Sequence, residues 1–356
     1  MKFKTVLAVL LAGGLAATAT AQQGGGPAPG GAPAGPPRGG GLPGPEPIEK
    51  ITNNVYKIFG GGGNTLVFVQ KDGVLLVDSK MPGNGQAILD EVAKVTDKPV
   101  TTIISTHSHP DHTGSADFIR ERYPNVRIIM NEGAEAELKA GPRPNPKLLP
   151  TETYKDRLTI GKGKDRVELY HFGPGHTNGD TFVVIPSAKL LFMGDVMAWN
   201  MAPFLPAGGA KAITEETEAL VRTVKGVKIV VEGHGHVNNW AGLTRLARFN
   251  RALLTAAKAA YDRGDPPGAA VAELKKNKDF APLLDTNIKK GLEYGNTPLA
   301  RANMNVNIAY AEFAGEPVGF AIANGGPLPA TDKHKGSDPK DTAPPTPEML
   351  AAAVAK

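Results

Sequence analysis

Between about residue 50 and residue 80, apolar residues come in short runs cut by Gly, Asn or Asp-Gly. "VYKIFG", "NTLVFVQ" and "GVLLVDS" are each long enough for one strand, and the tight punctuation between them predicts neighbouring antiparallel strands. The period then changes. In "NGQAILDEVAKVT", Ile88, Val92 and Val95 fall on one helical face. Strand and helix patterns go on alternating through "PVTTIIST", "GSADFIRERYP", "VRIIMN" and "AEAELKA". Further strands are predicted at "RVELYHF", "DTFVVIP" and "KLLFMGD", a helix capped by Thr214 at "TEETEALVRTV", and a last strand at "VKIVVEGHG". From Trp240 onward the spacing is mainly helical, through "LTRLARFNRALLTAAKAAYDRG", "AAVAELKK" and "ARANMNVNIAYAEFA". Strands mixed with helices, then a helical ending, predict an α/β domain with a helical C-terminal extension.

The two ends read differently. Residues 1–21 join a basic start at Lys2 and Lys4 to an apolar stretch and a small-residue "ATA" before Gln22, the pattern of a cleaved signal peptide. The apolar stretch is shorter than the ~20 residues a membrane span needs. Export to a periplasmic or secreted location is therefore expected. Residues 22–47 are dominated by Gly, Pro and Ala, bury almost nothing, and are expected to form a disordered linker. Residues 323–356 are again polar and Pro-rich and are expected to be a disordered tail, with one frayed helix starting at Thr346 and Pro347. Residues 48–265 make the main domain and 266–322 the helical extension.

Composition changes this picture little. The net charge is +5, but the basic residues are scattered, so nucleic-acid binding gains no support. There is no cysteine, which excludes thiol catalysis, thiolate-bound zinc and disulfides.

The chemistry concentrates in "STHSHPDHTGS", where three of the eight histidines and one aspartate lie between His107 and His112. The segment follows a predicted strand, which fixes the backbone while the loop projects side chains outward. In extended backbone His107 and His109 point the same way, so two imidazoles can hold one ion at about 2.0–2.1 Å. Pro110 turns the chain, so that Asp111 and His112 can face a second ion. Three later strand ends carry similar groups: His176 in "FGPGHTNGDT", Asp195 in "LLFMGDVM", and His234 with His236 in "IVVEGHGH". Asp180 is placed to brace the His176 turn, and His171 reads as a strand residue facing water.

These residues resemble the metallo-β-lactamase superfamily. His-x-His-x-Asp-His is matched by His107, His109, Asp111 and His112, and the later motifs by His176, Asp195 and His234. Asp78, ending "GVLLVDS", matches the aspartate that supports the site from behind its ligands. The resemblance covers roughly residues 50 to 240. It implies an αββα sandwich with two metal ions at its edge. The first would be held by His107, His109 and His176, the second by Asp111, His112 and His234, with Asp195 bridging them. Either histidine of "GHGH" is within reach; family spacing favours His234 and leaves His236 as a supporting or substrate contact. Two Zn(2+) suit imidazole and carboxylate ligands, and Fe or Mn accept the same set.

The function implied is an exported binuclear metal-dependent hydrolase that directs a metal-bound hydroxide at a small ester, thioester, lactone or amide, with Asp111 orienting the nucleophile and taking its proton. Three alternatives stand beside it: a metallo-β-lactamase acting on β-lactam antibiotics, an iron-dependent persulfide dioxygenase-like enzyme, and a non-catalytic metal-binding module. Asp195, where many true β-lactamases carry cysteine or serine, weighs against the first. The complete second-ion ligand set weighs against the other two. "MAWNMAPFLPAGG", with Trp199, Met201 and Phe204, is the expected lid. The expected partner is a small-molecule substrate; nothing points to nucleic acid, to stable membrane insertion after signal cleavage, or to a particular oligomeric state.

Overall fold

The structure, a computed structural model, describes residues 44–141, 144–205, 207–285, 297–316 and 318. The expected signal peptide, most of the linker and the Pro-rich tail with its terminal helix lie outside the described residues.

The first half of the chain builds a seven-stranded sheet whose spatial order is its chain order. Its strands are β1 (Glu49–Thr52), β2 (Val55–Ile58), β3 (Thr65–Val69), β4 (Val74–Val77), β5 (Val100–Ile104), β6 (Arg127–Asn131) and β7 (Glu152–Tyr154). The first four run antiparallel, as the tight punctuation predicts, and β4 to β7 are parallel. Parallel neighbours need crossovers. These are supplied by α1 (Gly85–Ala93), by α2 (Pro110–Thr113) with α3 (Ala116–Arg122), and by α4 (Glu132–Ala140).

The second sheet holds β8 (Arg157–Ile160), β9 (Val167–Tyr170), β10 (Phe182–Ile185), β11 (Leu190–Phe192), β12 (Ile229–Val231) and β13 (Val237–Asn239), in the order β13-β12-β11-β10-β9-β8. The helix α5 (Gly209–Thr223) crosses from β11 to β12, the one parallel pair of this sheet. Three helices follow, α6 (Trp240–Arg263), α7 (Pro267–Leu274) and α8 (Pro298–Phe313).

Alternation along the strands sorts side chains into three layers. Leu66, Phe68, Leu75, Val77 and Ile104 of the first sheet meet Leu169, Val183, Ile185 and Phe192 of the second, all buried. Their neighbours Val67, Leu76 and Ile103 face the other way and pack on Ile88 and Val92 of α1 and Ile119 of α3. Phe182, Val184, Leu191 and Val230 back onto α5, α6 and α8 through Ile213, Leu246, Phe249 and Val306. Each such side chain contributes about 1.5–3 kcal/mol from burial. The result is an α/β fold, an αββα sandwich whose C-terminal helices share the apolar layer of the second sheet.

Two expectations shift. The helix expected to start at Thr214 starts at Gly209, and Thr214 Oγ1 donates to Ala210 O inside it (2.7 Å), satisfied as a mid-helix residue rather than as a cap. The last residues of the expected linker are already folded: Glu46 N donates to Phe59 O at 2.8 Å. Among the described residues, no helix is long and apolar enough to cross a membrane.

Candidate metal centre

All seven candidate ligands sit just after a strand or in the turn beyond it. His107 and His109 follow β5, with His109 in extended backbone as the N-cap of α2 and Pro110 at its first position. That one-turn helix presents Asp111 and His112. His176 lies between β9 and β10, Asp195 in the turn after β11, and His234 after β12. The first sheet thus supplies four of the groups and the second sheet three.

The side chains converge as two clusters, His107 with His109 and His176, and Asp111 with His112, Asp195 and His234. In the first, His109 Nδ1 stands 3.0 Å from His176 Nε2. In the second, His112 Nε2 is 3.2 Å from both His234 Nε2 and Asp195 Oδ1, and His234 Nε2 is 3.1 Å from Asp111 Oδ2. Asp195 reaches both clusters, with Oδ2 3.3 Å from His234 Nε2 and 3.6 Å from His176 Nε2. His236 is exposed and joins neither cluster, and His171 is held by the Asp180 carbonyl through Nδ1 at 2.8 Å.

Hydrogen bonds behind the rings fix which nitrogen points inward. Asp78, at the end of β4, has a left-handed backbone (φ 64°), an uncommon conformation for a residue with a side chain. Its Oδ1 accepts from Thr106 N (2.7 Å), and its Oδ2 accepts from Thr106 Oγ1 (2.8 Å) and His112 Nδ1 (2.7 Å). Thr106 Oγ1 gives its one proton to Asp78, so towards His107 Nδ1, 2.9 Å away, it accepts. His176 Nδ1 donates to the Phe204 carbonyl at 2.7 Å. Three imidazoles are therefore held with Nδ1–H turned outward, which leaves Nε2 of each facing the centre as the atom available to a metal. His107 Nε2 is buried there with no hydrogen-bond partner.

Lone pairs aimed at one another across 3.0–3.6 Å fit a cation between them. Ligands bound tetrahedrally at about 2.0–2.1 Å stand about 3.3 Å apart. Close packing maintains this spacing. A β-carbon on Gly63 would come within 2.3 Å of the His112 ring, and one on Gly233 within 2.2 Å of Asp195 Oδ1.

The two clusters differ in charge. Burial, reinforced by neighbouring imidazoles, holds His107 well below its usual pKa and His176 at about 3; burial also lowers His109. In the second cluster burial acts the same way on His112 and His234 but is outweighed by Asp195 and Asp111, which raise His112 well above its usual value and His234 to about 9. Burial would raise Asp111 and Asp195, but the adjacent histidines hold both well below the carboxylate range.

Behind His176, Asp180 accepts from Thr177 N and Oγ1, and burial pushes its pKa up to about 7. Glu216 of α5 is fully buried beside Gly175 and is raised well above the carboxylate range, chiefly by that burial. The expected lid packs onto the centre: the Trp199 ring lies nearly parallel to His234 at 4.5 Å, and the Phe204 ring 6.0 Å from His176. Sequence reasoning missed the roles of Thr106, the Phe204 carbonyl and Glu216: Thr106 stands one residue before the histidine motif, and a backbone carbonyl or a mid-helix glutamate leaves no signature.

The sequence profile of the metallo-beta-lactamase superfamily matches residues 58–234, a span containing all seven groups and Asp78. The chain belongs to this superfamily. Members of this superfamily are mostly metal-dependent hydrolases, and the His/Asp clusters of this chain fit a divalent metal. It is similar to the 2,4-dinitroanisole O-demethylase subunit alpha of Nocardioides sp. (strain JS1661), 31% identical over 163 residues, or 44% of this chain and 48% of that one. The chain thus spans about half the length of that relative. It is also similar to metallo-beta-lactamase type 2 of Elizabethkingia meningoseptica, 25% identical over 211 residues, covering 56% of this chain and 81% of the relative. Among solved structures, the stereoselective inverting sec-alkylsulfatase Pisa1 from Pseudomonas sp. shares the fold, with a TM-score of 0.59 at 16% identity over 80% of this chain and 52% of that one.

Proposed function

We propose that this protein is an exported binuclear metallo-hydrolase acting on a small ester, thioester, lactone or amide. One observation carries the reading. Two complete donor clusters lie side by side, and the Asp195 carboxylate is within 3.6 Å of ligand nitrogens in both. His107, His109 and His176 would hold one zinc ion and Asp111, His112 and His234 the other, with Asp195 shared. When bound, such ions supply Lewis acidity and make water a nucleophile near neutral pH.

The chain's own groups do the rest. Asp111, held ionised by His112 and His234, orients the attacking water and accepts its proton at Oδ2. Asp78 fixes His112 directly and His107 through Thr106, so one carboxylate sets ring orientation in both clusters. Trp199 and Phe204 lay an apolar wall against His234 and His176, which keeps water off those rings. Export rests on the charge and small-residue pattern of residues 1–21. Full second-cluster geometry disfavours a mononuclear oxygenase. Asp195 in place of a thiolate or hydroxyl disfavours a dedicated β-lactamase.

Protein purified without chelator should carry close to two metal ions per chain by elemental analysis. It should turn over at least one member of a panel of lactones, thioesters, esters and β-lactams. A firm value of one ion, with Asp111 and His234 replaceable at no cost to turnover, overturns the binuclear reading; preference for β-lactams over every other class replaces the substrate assignment.

A further inference from the structure

The helix α8 lies beyond the segment matched by the superfamily and buries polar side chains along its length: Arg301, Asn303, Asn305 and Asn307. Asn305 Nδ2 donates to the Pro203 carbonyl at 2.9 Å, tying the helix to the lid. Arg301 is only 6% exposed, and its guanidinium lies 4.7 Å from the centre of the Phe204 ring. The same Phe204 carries the carbonyl that holds His176. Guanidinium, phenyl ring and metal-cluster imidazole therefore follow one another from α8 to the donor centre.

Among the described residues the Arg301 side chain makes no hydrogen bond or ion pair, and its buried Nε has no partner. Burial lowers its pKa to about 10, with the Asp195 carboxylate acting against that fall, so the group stays cationic at neutral pH. Asp195 cannot serve as its neutralising partner, because it is already engaged by His112, His176 and His234. An uncompensated buried guanidinium is costly to the fold, and a ligand that brings the missing negative charge removes that cost. Its planar fork matches a carboxylate through two parallel bonds. The Phe204 face supports the cation without neutralising it, leaving the fork available.

Building on the hydrolase reading, we propose that Arg301 anchors a carboxylate on the substrate, so that the enzyme prefers acyl compounds carrying a free carboxylate a few atoms from the scissile bond. The apolar wall of Trp199 and Phe204 would take the spacer between the two.

The test compares 4-nitrophenyl hydrogen glutarate with its uncharged counterpart 4-nitrophenyl valerate, in wild type, Arg301→Met and Arg301→Lys. In Arg301→Met the ratio of kcat/KM for the charged over the uncharged ester should fall by roughly tenfold or more, chiefly through KM, and Arg301→Lys should recover part of it. Melting temperature of Arg301→Met should hold or rise, because removing an unpaired buried charge relieves the fold. A ratio unchanged within about twofold, or a lowered melting temperature with equal loss on both esters, overturns the proposal.

A second readout needs no turnover. Calorimetric titration of metal-free protein with glutarate should give binding in wild type and none in Arg301→Met. If wild type cleaves neither ester, the hydrolase reading is what fails, and the titration still decides the anchor. Equal glutarate binding by both proteins, no binding by wild type, or tighter binding of inorganic phosphate than of glutarate each overturns the carboxylate assignment.

Discussion

Three imidazoles make up the first cluster, and two imidazoles with two carboxylates make up the second. His107, His112, His176 and His234 are all buried, yet His176 is left at about 3 and His234 reaches about 9. Desolvation penalises charge in either place; what differs is how much opposite charge lies at contact distance. The first cluster meets Asp195 at one edge only, 3.6 Å from His176 Nε2, too little to offset burial, and the acids behind it, Asp180 and Glu216, are pushed up by burial. The second is an ion cluster in which protons balance Asp111 and Asp195 until a dication replaces them. The two candidate metal positions are thus prepared in different ways, one by emptying its side chains of protons and one by storing them.

The strongest way to break this contrast is to remove what joins the halves. Asp195→Ala should lower turnover by on the order of 10³-fold or more, since both metal positions lose their shared carboxylate. The fold should survive, because the apolar layers lie in the strands and not in the metal loops, and circular dichroism with elemental analysis would check both points. Full activity with two ions retained would show that Asp195 does not bridge.

The second prediction concerns pH. His107, His109 and His176 have no proton to lose near neutrality, so zinc affinity of the first cluster should be nearly flat between pH 6 and 8. The second must release protons from His112 and His234, so its affinity should rise about tenfold per pH unit for each proton released, up to the His234 value of about 9. Calorimetry in buffers of different ionisation enthalpy would count those protons. For metal-free protein the sign reverses. A histidine raised in the folded state stabilises below its unfolded value of about 6.5 and loses that contribution as pH climbs through about 9, so melting temperature should drop between pH 7 and 9.5. Equal pH slopes at both positions would erase the distinction.

A milder change sharpens it. Thr106→Val removes the acceptor that fixes His107 but leaves the Asp78–His112 bond, so only the first metal position should weaken, by about tenfold. Competition with a chelator of known affinity would resolve the two positions. The smallest effect is expected at Glu216. Its raised pKa means that the folded state holds a proton the unfolded chain gives up above about pH 4.5, which costs stability as pH rises. Glu216→Gln should therefore melt no lower than wild type, and a few degrees higher at pH 8 than at pH 5 relative to it. A lower melting temperature at pH 8 would mean that Glu216 is charged and paired.

The contrast also explains what could be read from sequence. The inner strands β2 to β6 and β9 to β12 announce themselves because both their faces are covered and their runs are apolar. The strands missed are β1, β7, β8 and β13, which are the four edges of the two sheets. "EKIT", "ETY", "RLTI" and "VNN" each keep one face or more in contact with water, so their apolar signal is weak or absent. The seven candidate donors were legible because a chain without cysteine offers imidazole and carboxylate as its metal-binding side chains, and these seven follow predicted strand ends in the order of the superfamily's motifs. Thr106 and Arg301 were not, since their roles depend on neighbours distant in sequence. Phe204 contributes a carbonyl that any residue could present. Arg301 and the asparagines of α8 stand in no motif of the sequence; packing against α5, α6 and α7 is what shows that they are covered.

The stacked Trp199–His234 pair has a practical consequence. The chain contains two tryptophans, so Trp240→Phe would leave a single indole, lying 4.5 Å from a candidate ligand ring. A protonated imidazole quenches a stacked indole by accepting its excited electron, and a neutral one does so far less. Emission from Trp199 should therefore brighten as His234 gives up its proton, which makes the protein its own optical gauge of what happens at that ring. Stopped-flow fluorescence could then time the event in the unlabelled molecule.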